Sequence, residues 1–295
     1  MEAAPLALPR LNICGKALSQ TGGHCDQRGP LDRSPTDGYQ DRLGCMGVIC
    51  DGVPDVRRTA REQFRTGADF LKIMANGGVS SPSDPIHFLG FSREELLAMV
   101  EEAENVGSYA AAHLYTDQAI RRAVECGIHS LEHCNLIGSE TAEMAAKAGC
   151  IACPTLITYD KLISEGPAMG LPPASVAKVD DVRLKGLESL AIMRDAGLPM
   201  AYGSDLLGGM QPHQSGEFEL RSRVLPSQMV IDAACGIAAR LLRLEGLIGT
   251  LVPGAYGDLI LVSGDPLKDI TVLGGQGERM DVIVKNGAVV KEART

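Results

Sequence analysis

Short apolar runs recur along the chain, and each one follows a glycine and ends at or beside a polar side chain. Five such runs occupy residues 67–73, 107–113, 127–133, 149–155 and 197–205. The glycine suits the left-handed residue that closes a helix, and a short apolar run is typical of a strand buried in a parallel sheet. The pattern therefore predicts successive helix-to-strand units and a parallel α/β fold.

Helix start signals lie in the intervals between these runs. The clearest is the capping box formed by Ser92 and Glu95. Further helices are predicted after Thr116, after Ser139, after Pro226-Ser227, over 57–65 and over 182–196. An earlier apolar stretch at 11–19 predicts one more strand, so we expect six strands, each followed by a helix or a long loop.

The pattern changes beyond Gly249. Residues 254–262 and 280–291 alternate between apolar and polar positions, and Asn286-Gly287 is a hairpin signal. A small β module is therefore predicted after the last helix. We expect two units, a barrel region over residues 1–248 and a C-terminal β-sandwich segment over 249–295.

Composition narrows the class of protein. The chain has 295 residues, of which 45% are hydrophobic and 22% charged, and these proportions exclude a disordered or collagen-like chain. The net charge of −9 argues against nucleic acid as a partner. No apolar run is long enough to cross a membrane, and the N-terminus does not resemble a signal peptide, so we expect no membrane partner.

The nine cysteines are odd in number and scattered, which indicates reduced thiols and a cytoplasmic location. The one C-x-x-C motif, Cys150 to Cys153, falls in a predicted strand, where positions three apart point to opposite faces. We therefore interpret these two cysteines as small core residues rather than as a redox or zinc pair.

Four side chains capable of chemistry fall at the C-terminal ends of predicted strands. They are Lys72, His113, His133 and Asp205. In a parallel barrel these ends converge on one mouth, where active sites of this architecture lie. Two imidazoles and a carboxylate are ligands that zinc prefers. An ammonium repels a cation, so the lysine fits this set only if it is deprotonated or converted into an anion.

Several long motifs carry a resemblance to a known family. They are GADFLKIMANGGVSSPSDP at 67–85, AAHLYT at 111–116, SLEHCNLI at 130–137, PTLITY at 154–159, YGSDLLG at 202–208 and PGAYGDLILVSGDP at 253–266. The chain resembles the amidohydrolase superfamily, and within it the branch of Xaa-Pro dipeptidases, ochratoxinase-like carboxypeptidases and imidazolonepropionase-like proteins. The likeness extends from about Leu11 to Lys291.

The resemblance implies a role for each of the four side chains. Lys72 is similar to the strand-4 lysine that carbon dioxide converts to a carbamate bridging two divalent metals, which we expect to be zinc. His113 and His133 are similar to the metal ligands of strands 5 and 6. Asp205 is similar to the strand-8 aspartate, a metal ligand that can also accept a proton from the attacking water.

The resemblance also suggests substrate contacts. Tyr115 is similar to a tyrosine that contacts the substrate carboxylate. His24 lies in TGGHCD, where the family has TGGHGD, and both a role beside the substrate and a packed loop position stay open for it. His129 falls early in its strand and is interpreted as structural. His87 and His213 fall in loops, where lid or substrate residues and plain solvated histidines are both found.

One family feature is absent from the sequence. Family members carry a His-x-His pair at the end of strand 1, and no His-x-His occurs in this chain. Two βα units take roughly 60 residues, but only ten residues precede Leu11, where the first predicted strand begins. That strand therefore corresponds to the family's third. The predicted fold is therefore a (β/α)8 TIM-type barrel lacking its first two strands, with a small C-terminal β module. The open edges of such a sheet predict a homo-oligomer.

Two hypotheses of different classes follow. The first is a metal-dependent hydrolase of amide bonds that acts on a small-molecule substrate and releases a C-terminal amino acid from a dipeptide or an N-acyl amino acid. The second is a catalytically dead relative or a gene fragment with an interaction role. Among enzymes, the alternative is a cyclic-amide hydrolase or deaminase, against which Lys72 argues because such sites usually lack this lysine.

Overall fold

Six parallel strands form the main sheet in a computed structural model that describes residues 8–29, 31–35, 46–81, 84–171 and 173–293. The strands are β1 (Ala17–Ser19), β2 (Gly47–Ile49), β3 (Leu71–Met74), β4 (Ala110–Thr116), β5 (Ser130–Leu136) and β6 (Ile151–Cys153). Their order is β2-β1-β3-β4-β5-β6, and all pairings are parallel. The predicted parallel α/β architecture is confirmed.

Two details of the strand prediction differ from the structure. The run over 197–205 pairs with β6 only through an isolated bridge between Ala152 and Met200. Pro199 has no N–H group, so the segment around it cannot form a regular ladder. Conversely, β2 was not predicted, because its three residues are too few to show a period.

The helices follow the strands along the chain. They are α1 (Val53–Arg65), α2 (Arg93–Asn105), α3 (Asp117–Glu125), α4 (Ser139–Lys147), α5 (Leu156–Ser164), α6 (Pro173–Arg183), α7 (Gly186–Asp195), α8 (Gly216–Ser222), α9 (Ser227–Asp232) and α10 (Ala238–Leu241). A π-helical turn, Ala233–Ile237, joins the last two, and 3-10 turns lie at Gly166–Met169, Gly208–His213, Ile270–Leu273 and Gly275–Gly277.

The predicted helix starts agree well with these bounds. Ser92 and Glu95 form the capping box of α2, with each side chain bonded to the other's backbone N–H. The Thr116 hydroxyl caps α3 by accepting from Ala119 N. The helix predicted over 182–196 corresponds to α7, which begins at Gly186, whereas residues 182 and 183 belong to the end of α6, a helix that was not predicted. Gly186 lies so close to Leu156 that a Cβ there would stand 2.4 Å from that side chain.

The two faces of the main sheet pack against different cores. Ile73 and Leu114 belong to the large core between the sheet and the helices. A smaller cluster on the opposite face consists of Tyr109, Ala111, Ile151, Ala201 and Leu241. Lys72 pairs in register with Ala111 and therefore shares this second face. His113 lies two residues further along β4, so it points to the same side, beyond the small cluster.

A separate antiparallel sheet lies near the C-terminus. Its strands are β7 (Leu259–Val262), β8 (Met280–Lys285) and β9 (Ala288–Glu292), in the order β7-β8-β9. Asn286 and Gly287 both have positive φ angles, 52° and 79°, and form the predicted hairpin turn. The small C-terminal β module is thus confirmed. Within the described ranges, no helix combines the length and apolar character needed to span a membrane.

Candidate functional site

Three histidines meet at the C-terminal ends of the central strands. His113 lies on β4, His133 on β5, and His24 on the loop after β1. The His24 and His113 rings stack with their centroids 4.4 Å apart, and the His113 and His133 centroids are 4.8 Å apart. His113 is only 3% exposed and His133 only 4%. The structure therefore brings together three of the residues singled out in the sequence.

Hydrogen bonds occupy one nitrogen of each central histidine. His113 Nε2 lies 3.2 Å from the Gly77 carbonyl oxygen. A carbonyl can only accept, so this nitrogen carries the proton, and the lone pair is on Nδ1. His133 Nδ1 lies 2.8 Å from the Thr155 hydroxyl, which leaves Nε2 facing Asp205 Oδ2 at 3.9 Å. Such outer hydrogen bonds are the arrangement that orients metal-binding histidines.

Burial keeps both histidines neutral. It holds the pKa of His113 well below its ordinary value, and the neighbouring His24, His133 and Lys72 lower that pKa further. Burial also holds the pKa of His133 well below its ordinary value, with Lys72 and His24 contributing. A neutral imidazole is the form that binds metal. The two free nitrogens, His113 Nδ1 and His133 Nε2, are thus the candidate ligand atoms.

Asp205 and Lys72 complete the predicted set. The Asp205 side chain is 56% exposed at the mouth. Desolvation by the surrounding protein nevertheless raises its pKa, and the Lys72 charge opposes that rise. Lys72, half-buried on β3, acts electrostatically on Asp205 and on both central histidines. All four predicted metal ligands therefore surround the same end of the sheet.

The backbone is strained where these groups lie. His133, Cys134 and Asp205 have φ angles of 69°, 57° and 48°, in the left-handed region that non-glycine residues rarely adopt. The register between β4 and β5 also shifts between Leu114 and Thr116. Backbone strain of this kind clusters at functional sites, because the surrounding structure must hold it in place.

Two tyrosines form one wall of the site. The Tyr115 ring stacks on His133 with a centroid distance of 5.3 Å, and its hydroxyl accepts a hydrogen bond from the Tyr159 hydroxyl at 3.3 Å. Both side chains are buried. Burial raises the pKa of each phenol above its ordinary value, so both hydroxyls keep their protons at neutral pH. Tyr115 lies where the sequence placed it, beside the histidines.

Asn76 organises the loop that follows β3. Its Nδ2 donates to the Ile86 and Phe88 carbonyls at 2.7 and 2.6 Å, and its Oδ1 accepts from the N–H groups of Tyr115 and Thr116 at 2.7 and 2.9 Å. One buried amide therefore ties the loop to the end of β4. In the sequence, Asn76 before two glycines fits either a close approach of the backbone to a ligand or a plain turn, and neither interpretation predicts these four hydrogen bonds.

The same loop holds His24 in place. His24 Nδ1 lies 2.8 Å from the Ser81 hydroxyl and 3.6 Å from Asp84 Oδ2. Gly78 lies directly against the ring, since a Cβ there would stand 1.8 Å from it. Lys178 of α6 donates to the carbonyl oxygens of Gly78, Ser81 and Asp84 at 3.1, 2.8 and 3.1 Å. His24 is thus fixed beside His113, and the loop holds it through Nδ1.

Three other histidines lie away from this cluster. His129 packs edge-on against Tyr109, a member of the small cluster below the site. His213 Nε2 lies 2.9 Å from Glu165, and the His87 ring packs edge-on against Phe88. The cysteines Cys150 and Cys153 are free thiols in different surroundings, the first in the large core and the second against the small cluster.

The donor set fits a divalent metal in its chemistry but is not a complete cage. Within the described part of the chain, no three His, Cys, Asp or Glu side chains converge as a full metal site requires. His113, His133 and Asp205 nevertheless lie close to one another, and Lys72 acts electrostatically on all three. A lysine carbamate would supply the further anionic ligand that this set lacks.

Comparisons with known proteins agree with the resemblance found in the motifs. The sequence matches the amidohydrolase family over residues 1–290. Ochratoxinase from Aspergillus niger is 30% identical over 276 residues, which are 90% of this chain and 56% of that protein. A prolidase solved in complex with N-methylphosphonate-L-proline is 44% identical, with a TM-score of 0.95 over 96% of this chain and 70% of the prolidase.

A third relative is a Xaa-Pro dipeptidase solved with methionine bound in its active site. It is 28% identical, with a TM-score of 0.83, over 97% of this chain and 69% of the dipeptidase. The chain spans about half the length, 56%, of the curated relatives it matches. The branch predicted from the motifs is the one in which these relatives lie.

Proposed function

The chain belongs to the amidohydrolase family, and from this premise we propose that it hydrolyses amide bonds, releasing a C-terminal amino acid from a dipeptide or an N-acyl amino acid. The observation that carries this proposal is the meeting of His113, His133, Asp205 and Lys72 at one end of the parallel sheet. Burial keeps the two imidazoles neutral, and a hydrogen bond occupies one nitrogen of each, which leaves His113 Nδ1 and His133 Nε2 available as ligands.

In this proposal the ligands of a divalent metal are His113 Nδ1, His133 Nε2, the Asp205 carboxylate and Lys72. When bound, the metal, which we take to be zinc, would polarise the scissile carbonyl and lower the pKa of water. The unprotonated Lys72 amine adds to carbon dioxide and loses a proton to solvent, giving an anionic carbamate. Because burial raises the pKa of Asp205, this carboxylate holds a proton more readily than an ordinary aspartate, which suits a proton acceptor.

We further propose that Tyr115 and His24 bind the substrate carboxylate. The Tyr115 hydroxyl is protonated and buried, so it can donate a hydrogen bond to an anion. The loop holds the Nδ1 atom of His24, so Nε2 is the nitrogen left for a contact with the substrate. The prolidase and Xaa-Pro dipeptidase relatives support a substrate that ends in a free amino-acid carboxylate.

A second candidate, from another class, is a binding protein that retains the site without turnover. A deaminase or cyclic-amide hydrolase is disfavoured, since Lys72 lies in the site and affects the pKa of three of its members.

Hydrolysis assays on the zinc-loaded protein separate these candidates. With bicarbonate present, we expect release of free amino acid from N-acyl amino acids or dipeptides, and loss of that release in Lys72→Ala and His133→Ala. The matched control is Lys185→Ala, whose ammonium pairs with Glu188 on the surface. A folded, zinc-loaded protein that binds such compounds without cleaving them would contradict the enzyme proposal and favour the binding role.

Two finer points belong to the same proposal. A homo-oligomer is supported by apolar side chains exposed on the small sheet, among them Ile260, Leu261 and Val289. A cytoplasmic location is supported by free thiols at Cys14, Cys126 and Cys235, because oxidising compartments favour disulfides.

A further inference from the structure

The first turn of α5 contacts three different parts of the candidate site. Thr155, the N-cap residue, lies 2.8 Å from His133 Nδ1. Thr158 donates its hydroxyl proton to the Asp205 carbonyl at 3.0 Å. Tyr159 donates its hydroxyl proton to Tyr115 at 3.3 Å. One short helical segment therefore touches two candidate metal ligands and the candidate carboxylate-binding residue.

Thr155 does not perform the usual task of an N-cap threonine. Such a side chain normally accepts from an N–H in the first turn of its helix, but Thr155 makes no such bond. Glu217 of α8 takes that place, since its Oε2 accepts from Ile157 N at 2.7 Å. Glu217 is fully buried and paired with Arg221, which also donates to the Pro154 carbonyl. The cap supplied by α8 frees the Thr155 hydroxyl for His133.

The Tyr159 and Tyr115 hydroxyls share one directed hydrogen bond. Tyr159 donates its proton to the Tyr115 oxygen at 3.3 Å, and both side chains are buried. Because the Tyr115 oxygen already accepts this bond, its own proton is free to point into the site.

The opposite direction would remove this donor. If Tyr115 donated to Tyr159, its one proton would be used within the wall of the site, and its oxygen could then only accept. An oxygen that can only accept repels a carboxylate, so a substrate carboxylate requires the direction in which Tyr159 donates to Tyr115.

We propose that Tyr159 is a positioning residue for substrate selection, which turns the Tyr115 hydroxyl proton toward the mouth of the site so that it donates to a substrate carboxylate. This inference rests on the proposed function, and it assigns the preference for free acids to a side chain that does not touch the substrate.

The test compares an acid with its amide. N-acetyl-L-proline and N-acetyl-L-prolinamide are given to zinc-loaded wild type, Tyr159→Phe, Tyr115→Phe and the double variant. We expect Tyr159→Phe to raise KM and Kd for the acid about 3- to 10-fold, the usual effect of one lost hydrogen bond, and to change the amide less than twofold. The double variant should be no weaker for the acid than Tyr115→Phe alone.

Tyr202→Phe is the matched control. Its hydroxyl also donates one hydrogen bond, to the Gln214 carbonyl at 2.8 Å, away from the histidines. It should leave the acid-to-amide ratio unchanged. Equal losses for acid and amide in Tyr159→Phe, additive losses in the double variant, or the same loss in Tyr202→Phe would each overturn the inference.

Two measures keep this test separate from the proposed function. Calorimetric Kd values need no turnover, so a protein that binds the acid selectively without cleaving it contradicts the enzyme proposal alone. A wild type that binds the acid no more tightly than the amide overturns the inference. If Tyr159→Phe fails to fold, Tyr159→Gln carries the test. Its amide N–H can replace the hydroxyl as donor to Tyr115, so the acid should keep its advantage over the amide, and a loss of that advantage would overturn the inference.

Discussion

Polar side chains are buried at the barrel mouth, whereas apolar side chains are exposed on the small C-terminal sheet. At the mouth, polar side chains such as Asn76, His133 and Glu217 are buried, and hydrogen bonds hold each of them. On the small sheet, apolar side chains such as Leu261 and Val289 are 55% and 59% exposed. The mouth is stabilised by specific polar contacts made within the chain, whereas the sheet presents a surface suited to contacts with another molecule.

The difference predicts where a single substitution does most damage. A buried polar network fails when one member is removed, because the partner is left unpaired without water. An exposed apolar strand loses little folding free energy when one side chain changes, since that side chain has little buried area to lose. The following predictions test this contrast from the largest expected effect to the smallest.

Glu217→Ala should give the largest loss of stability. It removes the cap of α5 and leaves Arg221, which is fully buried, without its counter-ion. Breaking a buried ion pair in this way typically costs about 3–5 kcal/mol. We expect a decrease of that size in the free energy of unfolding, measured in urea. The control is Glu219→Ala on the same helix, because the Glu219 side chain pairs with Arg223 but is 64% exposed. A loss of stability at Glu219 as large as the loss at Glu217 would refute the contrast.

Thr155→Val should affect zinc more than folding. Substituting the residue that orients a metal-binding histidine typically weakens metal affinity 10- to 100-fold. We expect that decrease in the zinc association constant, measured by competition with a chromophoric chelator. Thr155→Ser keeps the hydroxyl and should restore the affinity. Unchanged zinc affinity in the valine variant would mean that the hydrogen bond to His133 does not orient a ligand.

Much of the fold was predictable, because its signals are local. The glycine-bounded apolar runs predicted β3, β4, β5 and β6, and the Ser92 capping box marked the start of α2. Each depends on a few neighbouring residues. The segment at 197–205 was predicted as a strand and is not one, because pairing depends on the geometry of the partner strand and on Pro199.

The candidate site was predictable only in part. Residues at strand ends, such as His113 and Asp205, could be found from their position after an apolar run. Tyr159, Glu217 and Lys178 could not, because they act across distances of 44, 60 and 94 to 100 residues in sequence. Each lies on a helix where a charged or aromatic residue is ordinary. Only the packing of α5, α6 and α8 reveals what these side chains contact.

His129, which packs against Tyr109 in the small cluster below the site, makes the stability of the fold depend on pH. Burial lowers the pKa of His129, and the charges of Arg243 and Arg240 lower it further. His129 therefore binds a proton near pH 6.5 in the unfolded chain but only at lower pH in the folded chain. The free energy of unfolding falls as the pH drops below about 6.5. The loss is at most about 1.4 kcal/mol per pH unit for one group. Urea unfolding at pH 7.5 and 5.5 should show a smaller difference in His129→Gln than in wild type, and equal differences in the two proteins would contradict this prediction.

Leu261→Lys on β7 should have the smallest effect on folding and a clear effect on association. β7 is an edge strand of the small sheet, and the Leu261 side chain is 55% exposed. An exposed substitution typically changes stability by less than about 0.5 kcal/mol. A charge on an edge strand also opposes pairing with another chain. Light scattering after size exclusion should show an oligomer for wild type and a smaller species for the variant, at nearly equal free energies of unfolding. A monomeric wild type would remove the interaction role from this sheet, and a variant that unfolds easily would show that the sheet, like the mouth, depends on contacts within the chain.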